Sequence, residues 1–393
     1  MRKLSSIVTL IATLLVVCIA ILIISSHKPT DAVDKTYTSQ NHTGMKTKAQ
    51  PAGKQFQSEI TLGAVGDILI HNSVYNDAKT ETGYDFTPML APVKEYMISP
   101  DIMFANQETI LGGTELGLSS YPMFNSPYEV GDALKDAGVD IVSMANNHTL
   151  DAGEQGILNA TAYFDKIGIP YVGSYRSEED QQKPRIITKD GISVGFVAYT
   201  YGTNGLIRPE GKDYLVQYLE QDKIIKDIKN LKPQVDFVVV SLHFGLEYQR
   251  YANDVQKLLV EEVSKAGADI ILGHHPHVLQ PADWIEQDDG HRTFVIYSLG
   301  NFLSGQAELY QRIGAILHLN LSKTIDKNNN KTVSLSDVKI MPTYNYRPNY
   351  QNYKVVPLID ADQYGLSDAK ELFQEMQEHM KSYTDDVTVV EKL

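Results

Sequence analysis

Beyond about position 58 the chain alternates short apolar runs with amphipathic stretches. The runs at 60–65, 101–105, 139–145, 192–198, 235–242, 269–272 and 293–299 have the length and composition of strands. Between them, 153–166, 219–231 and 253–266 carry helical spacing over helical lengths. Strands alternating with helices predict a layered α/β domain, placed at 59–320. No internal repeat is present. After 320 the texture changes to a polar turn at 326–330, a Tyr- and Pro-rich patch at 342–357 and one helical stretch at 367–381. This segment, 321–393, reads as a C-terminal extension packed on the main domain.

The N-terminus follows a different pattern. No residue from 4 to 26 is charged, and the run is long enough to cross a bilayer at ~1.5 Å per residue. Cleaved signal peptides carry shorter apolar stretches, of roughly 7–15 residues, before a small-residue cleavage site. No such site follows here, so an uncleaved transmembrane anchor at 1–26 is expected. Arg2 and Lys3 precede the span, which puts the N-terminus in the cytoplasm and the bulk of the chain outside. The polar stretch at 27–58 reads as a linker.

Charge narrows the function classes. The chain carries −14 overall, but residues 1–58 hold seven Lys or Arg against Asp31 and Asp34, leaving −19 on 59–393. A nucleic-acid binder shows the opposite balance on its folded part, so nucleic acid is excluded as a partner. The single cysteine, Cys18, lies in the apolar span, so the outer domain has no disulfide to brace it.

The chemistry-bearing residues fall where predicted strands end, which is where α/β sheets bind ligands. Asp67 follows the first strand and Asn106-Gln107-Glu108 the second. The third leads into Asn146-Asn147-His148, with Asp151 close behind. Later strands deliver His243, followed by Glu247, and then His274-His275-Pro276-His277. Singly, each piece has a structural reading. Asp67 suits a helix cap or turn, Asn146-Asn147-His148 a turn, and His243 a core position. His148 and Asp151 suit caps for the helix near Gly153. His275 and His277 are alternate residues, and in an extended segment alternate residues share a face. Together the pieces predict a site of metal-ligand type.

Their order resembles that of the calcineurin-like metallophosphoesterases and, more closely, the CapA/PgsA capsule synthesis family associated with poly-γ-glutamate. The resemblance is carried by Val65-Gly66-Asp67, Ala105-Asn106-Gln107-Glu108, Ala145-Asn146-Asn147-His148 and His243-Phe244-Gly245-Leu246-Glu247-Tyr248. It continues through Gly273-His274-His275-Pro276-His277-Val278 and Tyr297-Ser298-Leu299-Gly300-Asn301-Phe302. It implies a four-layer α/β/β/α metallophosphoesterase-type sandwich behind one transmembrane helix. It also implies one or two divalent transition metals (Mn, Fe or Zn) held by Asp67, Glu108, Asn147, His243, His275 and His277. His148, oriented by Asp151, would be the general acid. Asn106, Asn146, Glu247, His274, Ser298 and Asn301 would line the pocket or support the ligands. Two positions depart from the superfamily: Leu69 stands where Asp-x-His requires His, and Glu108 replaces a shorter bridging Asp. His71, four residues after Asp67, would face elsewhere, so the first metal site is expected to be weak, empty or differently built.

The resemblance implies an extracytoplasmic component of capsule or poly-γ-glutamate synthesis and export at the cell membrane. Its partners would be the cytoplasmic membrane, other capsule-synthesis membrane proteins and an anionic extracellular polymer. The alternatives are a metal-dependent surface phosphoesterase or phosphodiesterase, and a polymer-binding protein without catalysis. A polyanion would need local positive charge on this acidic domain, from metals or from arginines such as Arg185, Arg208, Arg250, Arg292 and Arg312. The anchor itself is open to test. Protease added to intact cells should release a fragment that begins within residues 27–58, whereas intact protein found only in the medium would overturn the anchor.

Overall fold

The computed structural model describes residues 55–393. The expected span at 4–26 and most of the linker lie outside them. Among the described residues no helix is long and apolar enough to cross a membrane.

Among the described residues, fifteen strands run in chain order. β1 (Phe56–Leu69), β2 (Ile102–Gln107), β3 (Ile141–Ser143) and β4 (Tyr171–Val172) come first. β5 (Arg185–Lys189), β6 (Ile192–Thr200), β7 (Phe237–His243), β8 (Ile270–His274), β9 (Leu279–Glu286) and β10 (Arg292–Leu299) follow. β11 (Asn301–Ser304), β12 (Ile313–Ile325), β13 (Lys331–Tyr346), β14 (Lys354–Pro357) and β15 (Thr388–Val389) complete the set. The first sheet has the order β14-β13-β12-β1-β2-β3-β4, with β11 beside β1 and β15 beside β13. The second has the order β5-β6-β7-β8-β10-β9.

Side-chain alternation along the central strands generates the layers. All six residues of β2 are buried, yet they serve two cores. Ile102 and Phe104 face the second sheet, whereas Met103 and Ala105 face helices. In β7, Phe237 and Val239 likewise point to the first sheet, and Val238, Val240 and Leu242 point outward. Strands buried on both faces read as unbroken apolar runs, which is why the pattern exposed them. The helices Glu129–Asp136 and Gly153–Ile167 cover the first sheet through Val130, Leu134, Ile157 and Phe164. Gln221–Leu231 and Asp254–Lys265 cover the second through Ile224, Ile228, Val260 and Val263. Three apolar cores therefore separate four layers.

The segment after 320 departs from its expected place. It does not merely pack on the domain: β12 pairs antiparallel with β1 along ten residues and with β13 on its other side. The polar turn at 326–330 closes that hairpin, since Ile325 lies opposite Lys331. The far half of the hairpin is largely exposed, so polar residues there hide the strand period from the sequence. The helical stretch appears as Ala369–Met380, which buries Leu372, Phe373, Met376 and Met380 in the central core.

An ionic clamp ties the two sheets at the end remote from the predicted ligands. Asp236, just before β7, accepts hydrogen bonds from the Ser193 backbone at 2.9 Å, Lys323 Nζ at 2.8 Å and Lys331 Nζ at 3.0 Å. Burial disfavours its charge, but the bonds from Lys323, Ser193 and Lys331 win and hold its carboxyl at about 2. A depressed carboxyl adds stability above its unfolded value of about 3.9, and loses it as pH falls towards the folded one. Asp236→Asn should therefore cost on the order of 1 kcal/mol at pH 7, a figure reduced for the clamp's solvent access. The deficit should shrink between about pH 4 and pH 2 in urea unfolding titrations.

Candidate metal centre

Parallel strands β1, β2 and β3 of one sheet and β6, β7 and β8 of the other end at a common edge. A register shift in β1 after Val65 re-aims Asp67, and the Asp67 N–H donates to the Gly300 carbonyl at 2.9 Å. Gly300 joins β10 of the second sheet to β11 of the first, and β11 lies beside β1 with Asn301 opposite Asp67. Asn106 falls near the end of β2, Glu108 just beyond it, and His243 and His274 are the last residues of β7 and β8. All of these side chains are buried.

The contacts form one network. Asp67 Oδ1 accepts from Asn106 Nδ2 at 2.8 Å, and Oδ2 lies 3.1 Å from His277 Nδ1. Asn301 Oδ1 meets the same His277 nitrogen at 3.1 Å. His243 Nε2 is 2.7 Å from Asn147 Oδ1 and 3.7 Å from Glu108 Oε1, and His277 Nε2 is 3.6 Å from that carboxylate oxygen. His275 and His277 do converge, but not through an extended segment. Both adopt left-handed backbone, with φ of 97° and 59°, and their rings lie 5.8 Å apart. Such conformations are costly for non-glycine residues and persist only where the surroundings impose them.

Burial and neighbouring charge set the protonation states. Burial disfavours charge on Asp67, but the imidazoles of His274 and His277 outweigh it and hold the carboxyl well below its usual range. Glu108 is pushed well above its own by burial, opposed by His277 and reinforced by Asp67 and Glu247. Burial also depresses His243, helped by His275, and takes His275 down to about 3, helped by His277. His277 is the exception. Burial opposes its charge, but Glu108 and Asp67 lift it to about 9.

These residues fit a metal. Both Glu108 oxygens and His275 Nδ1 are buried with no hydrogen-bond partner among the described residues, a costly state unless a ligand uses them. Three overlapping triads offer ligand atoms within 4.8 Å of one another: Glu108–His243–His275, Asp67–Glu108–His277 and Glu247–His275–His277. Glu108 belongs to the first two, the position of a bridging carboxylate. Two neutral imidazoles suit borderline divalent metals. His71 stands apart from these triads. It packs edge-on against Phe124 and its Nδ1 accepts from the Gly305 N–H at 3.2 Å.

Beside the triads, Asp151 Oδ2 accepts from His148 Nδ1 at 2.6 Å and from the Phe124 N–H at 2.7 Å. The cap reading fails: the helix from Gly153 is preceded by Ala152 and receives no side-chain cap. His148 Nε2 lies 3.2 Å from the Asn147 amide, so Asp151 and Asn147 hold the ring from both sides. Asn146 fixes the loop by accepting from the His148 N–H and donating to the Gln107 carbonyl, both at 2.9 Å. Ser298 accepts from the Gly300 N–H at 3.1 Å and so shapes the turn rather than lining the pocket. Sequence reasoning missed Tyr201, whose half-exposed ring lies 4.6 Å from that of His275, and Phe124, 4.6 Å from that of His148. Position after β6 was a usable signal for Tyr201; nothing in the pattern marks Phe124.

Two mixed sheets whose joined strand ends bury carboxylates, amides and imidazoles make this a layered α/β protein with a candidate metal centre. It is similar to the NAD nucleotidase NadN of Haemophilus influenzae (12% identity, 86% of this chain and 58% of that one, TM-score 0.43). It is also similar to a putative 5'-nucleotidase of Staphylococcus aureus (16% identity, 80% and 58%, TM-score 0.43). The chain belongs to the bacterial capsule synthesis protein family PGA_cap, whose model matches residues 61–306. It is 35% identical over 191 residues to the PGA biosynthesis protein CapA of Bacillus subtilis, a match covering 48% of this chain and 49% of that one. It thus spans about half the length of that relative. The capsule biosynthesis protein CapA of Bacillus anthracis is 28% identical over 287 residues, 70% of this chain and 67% of the other.

Removing a ligand should empty the centre without unfolding the layers. His243→Ala and His275→Ala should each lower the transition metal bound per purified chain after reconstitution with Mn²⁺, Fe²⁺ or Zn²⁺. Wild-type protein that stays metal-free under those conditions would overturn the assignment.

Proposed function

We propose that the chain is a membrane-anchored, extracytoplasmic component of capsule polymer synthesis and export, working through a divalent transition metal centre of one or two ions. The observation that carries the metal is Glu108: fully buried, both oxygens without a hydrogen-bond partner among the described residues, and shared by two ligand triads. Asp67, Glu108, Asn147, His243, His275 and His277 would hold Mn, Fe or Zn. The uncharged stretch at 4–26 supports the anchor, and the names of the Bacillus relatives support the capsule role. Its partners on this reading are the cytoplasmic membrane, other capsule-synthesis membrane proteins and the anionic polymer outside.

The His148–Asp151 pair favours a second, compatible reading, hydrolysis of a phosphoester or phosphodiester at the cell surface. A bound divalent ion supplies Lewis acidity and activates water at neutral pH. The chain's own part is proton handling. Asp151 accepts the His148 Nδ1–H and leaves Nε2 turned towards Asn147, one of the proposed ligands. A protonated His148 can then donate from Nε2 to a leaving alkoxide beside the ligands.

His148→Ala should keep the metal and the fold but lose about 10²–10⁴-fold in rate, the usual contribution of a positioned general acid. Asp151→Asn should lose less, because it acts only through the imidazole. Phosphoester turnover in vitro and polymer output in cells, compared at equal protein level, measure both. Normal output from His148→Ala would remove catalysis by this residue and leave the polymer-binding reading.

A further inference from the structure

The domain is acidic, so an arginine without a carboxylate partner is an anomaly. Of the seven arginines among the described residues, Arg176, Arg185, Arg208, Arg250 and Arg292 each lie within salt-bridge distance of an Asp or Glu. Arg312 and Arg347 have no such partner among the described residues. They are also neighbours. Arg312 ends the turn that leads into β12, Arg347 follows the last residue of β13, and these two strands are paired antiparallel.

Arg347 is the more telling of the two. It is 8% exposed, its guanidinium makes no hydrogen bond among the described residues, and its buried Nε has no acceptor. Its only partner of note is the Tyr350 ring, 4.4 Å away and itself half exposed. A cation–π contact at such a site offsets only part of the cost of burying a charge. Arg312 lies 4.4 Å over the Tyr344 ring and donates from Nε to the Asn345 carbonyl at 3.1 Å, so it faces a phenol and a carbonyl but no carboxylate among the described residues. Two adjacent like charges, neither neutralised, describe half of an ion-binding site.

The pair adjoins the proposed metal centre. Asn345, which receives the Arg312 Nε–H on its carbonyl, donates from its side chain to the Asn301 carbonyl at 3.2 Å. Asn301 in turn contacts His277. His71 lies between the two regions. Burial depresses it to about 4, and the charges of His277, His148 and Arg347 all push in the same direction.

We propose that Arg347 and Arg312 form a subsite for an anionic oxyacid group, carboxylate or phosphate, carried by the molecule that the metal centre handles. The planar guanidinium fork matches both groups, and a ligand here would supply the counter-charge that the protein withholds. The subsite rests on the proposed function for its purpose but not for its existence, because anion binding can be read without the metal.

The test is thermal denaturation of the full-length protein in detergent at matched ionic strength, with inorganic phosphate or with triglutamate. One of the two should raise the melting temperature in a saturable way. A response to phosphate alone or to triglutamate alone supports the subsite and identifies the group it takes. Arg347→Met and Arg312→Gln should each weaken that binding at least tenfold. Without anion, Arg347→Met should melt no lower than wild type, because it removes an uncompensated buried charge. A structural arginine would do the opposite, so a fall in the anion-free melting temperature overturns the proposal. No response beyond a chloride control, or variants that respond as wild type does, overturns it equally. Arg312→Gln, at the more exposed position, keeps the test open should Arg347→Met fail to fold. Metal content measured on the same samples should be unchanged in the variants. A metal-free wild type that still binds the anion would defeat the proposed metal centre and leave the subsite standing.

Discussion

A Cβ atom at Gly66 would lie 1.9 Å from the Gly300 carbonyl oxygen, so no side chain fits between the two backbones there. This approach brings the end of β1 against the link between β10 and β11, where the chain passes from one sheet to the other. Because the contact is backbone to backbone, Asp67 from the first sheet and His277 from the second come within hydrogen-bonding reach. Gly300 contributes in the same place, with a φ of 63° that carries the chain across. The register shift in β1, the position of Asn301 and the convergence of six strand ends all follow from this junction.

Closing two sheets around charged residues has an energetic consequence. Carboxylates and imidazoles taken out of water destabilise a domain unless they are paired or bound. Here the compensation is incomplete. Asp67 is well satisfied, but Glu108 keeps both oxygens unspent and the His277 proton acts as the main internal counter-charge. A divalent cation would replace that proton and satisfy Glu108 at once, so metal affinity and proton release belong to one equilibrium. Left-handed backbone at His275 and His277 adds local strain, which the surrounding sheets must carry. The missing superfamily histidine at Leu69 fits this picture. That side chain is buried and apolar, and the centre draws its imidazoles chiefly from the second sheet.

The same logic extends to the acidic surface. With −19 on residues 59–393, a polyanion is repelled everywhere except where positive charge is concentrated. Most arginines are consumed by neighbouring carboxylates and add no field of their own. The two arginines that face no carboxylate among the described residues, Arg312 and Arg347, lie beside the candidate metal centre.

Much of this was legible along the chain, for a physical reason. Runs such as Phe237–His243 are buried on both faces, so their composition alone marks them as strands, and a ligand placed where such a run stops must lie at a sheet edge. The alternation of elements and the order of the ligand-bearing loops follow from such local rules, and the family follows from the resemblance those loops carry. Tertiary structure decided which atoms meet. It turned 313–346 into two long strands of the first sheet, because pairing with β1 outweighs a polar pattern on an exposed hairpin. It directed Asp151 to His148 and Phe124 instead of to the helix end, and brought His275 and His277 together through left-handed backbone rather than alternation. It set Arg312 beside Arg347, with 34 residues between them in the chain. Periodicity reports only on neighbours a few residues apart; contacts across the sheets depend on register and close backbone approach, which only the assembled layers define.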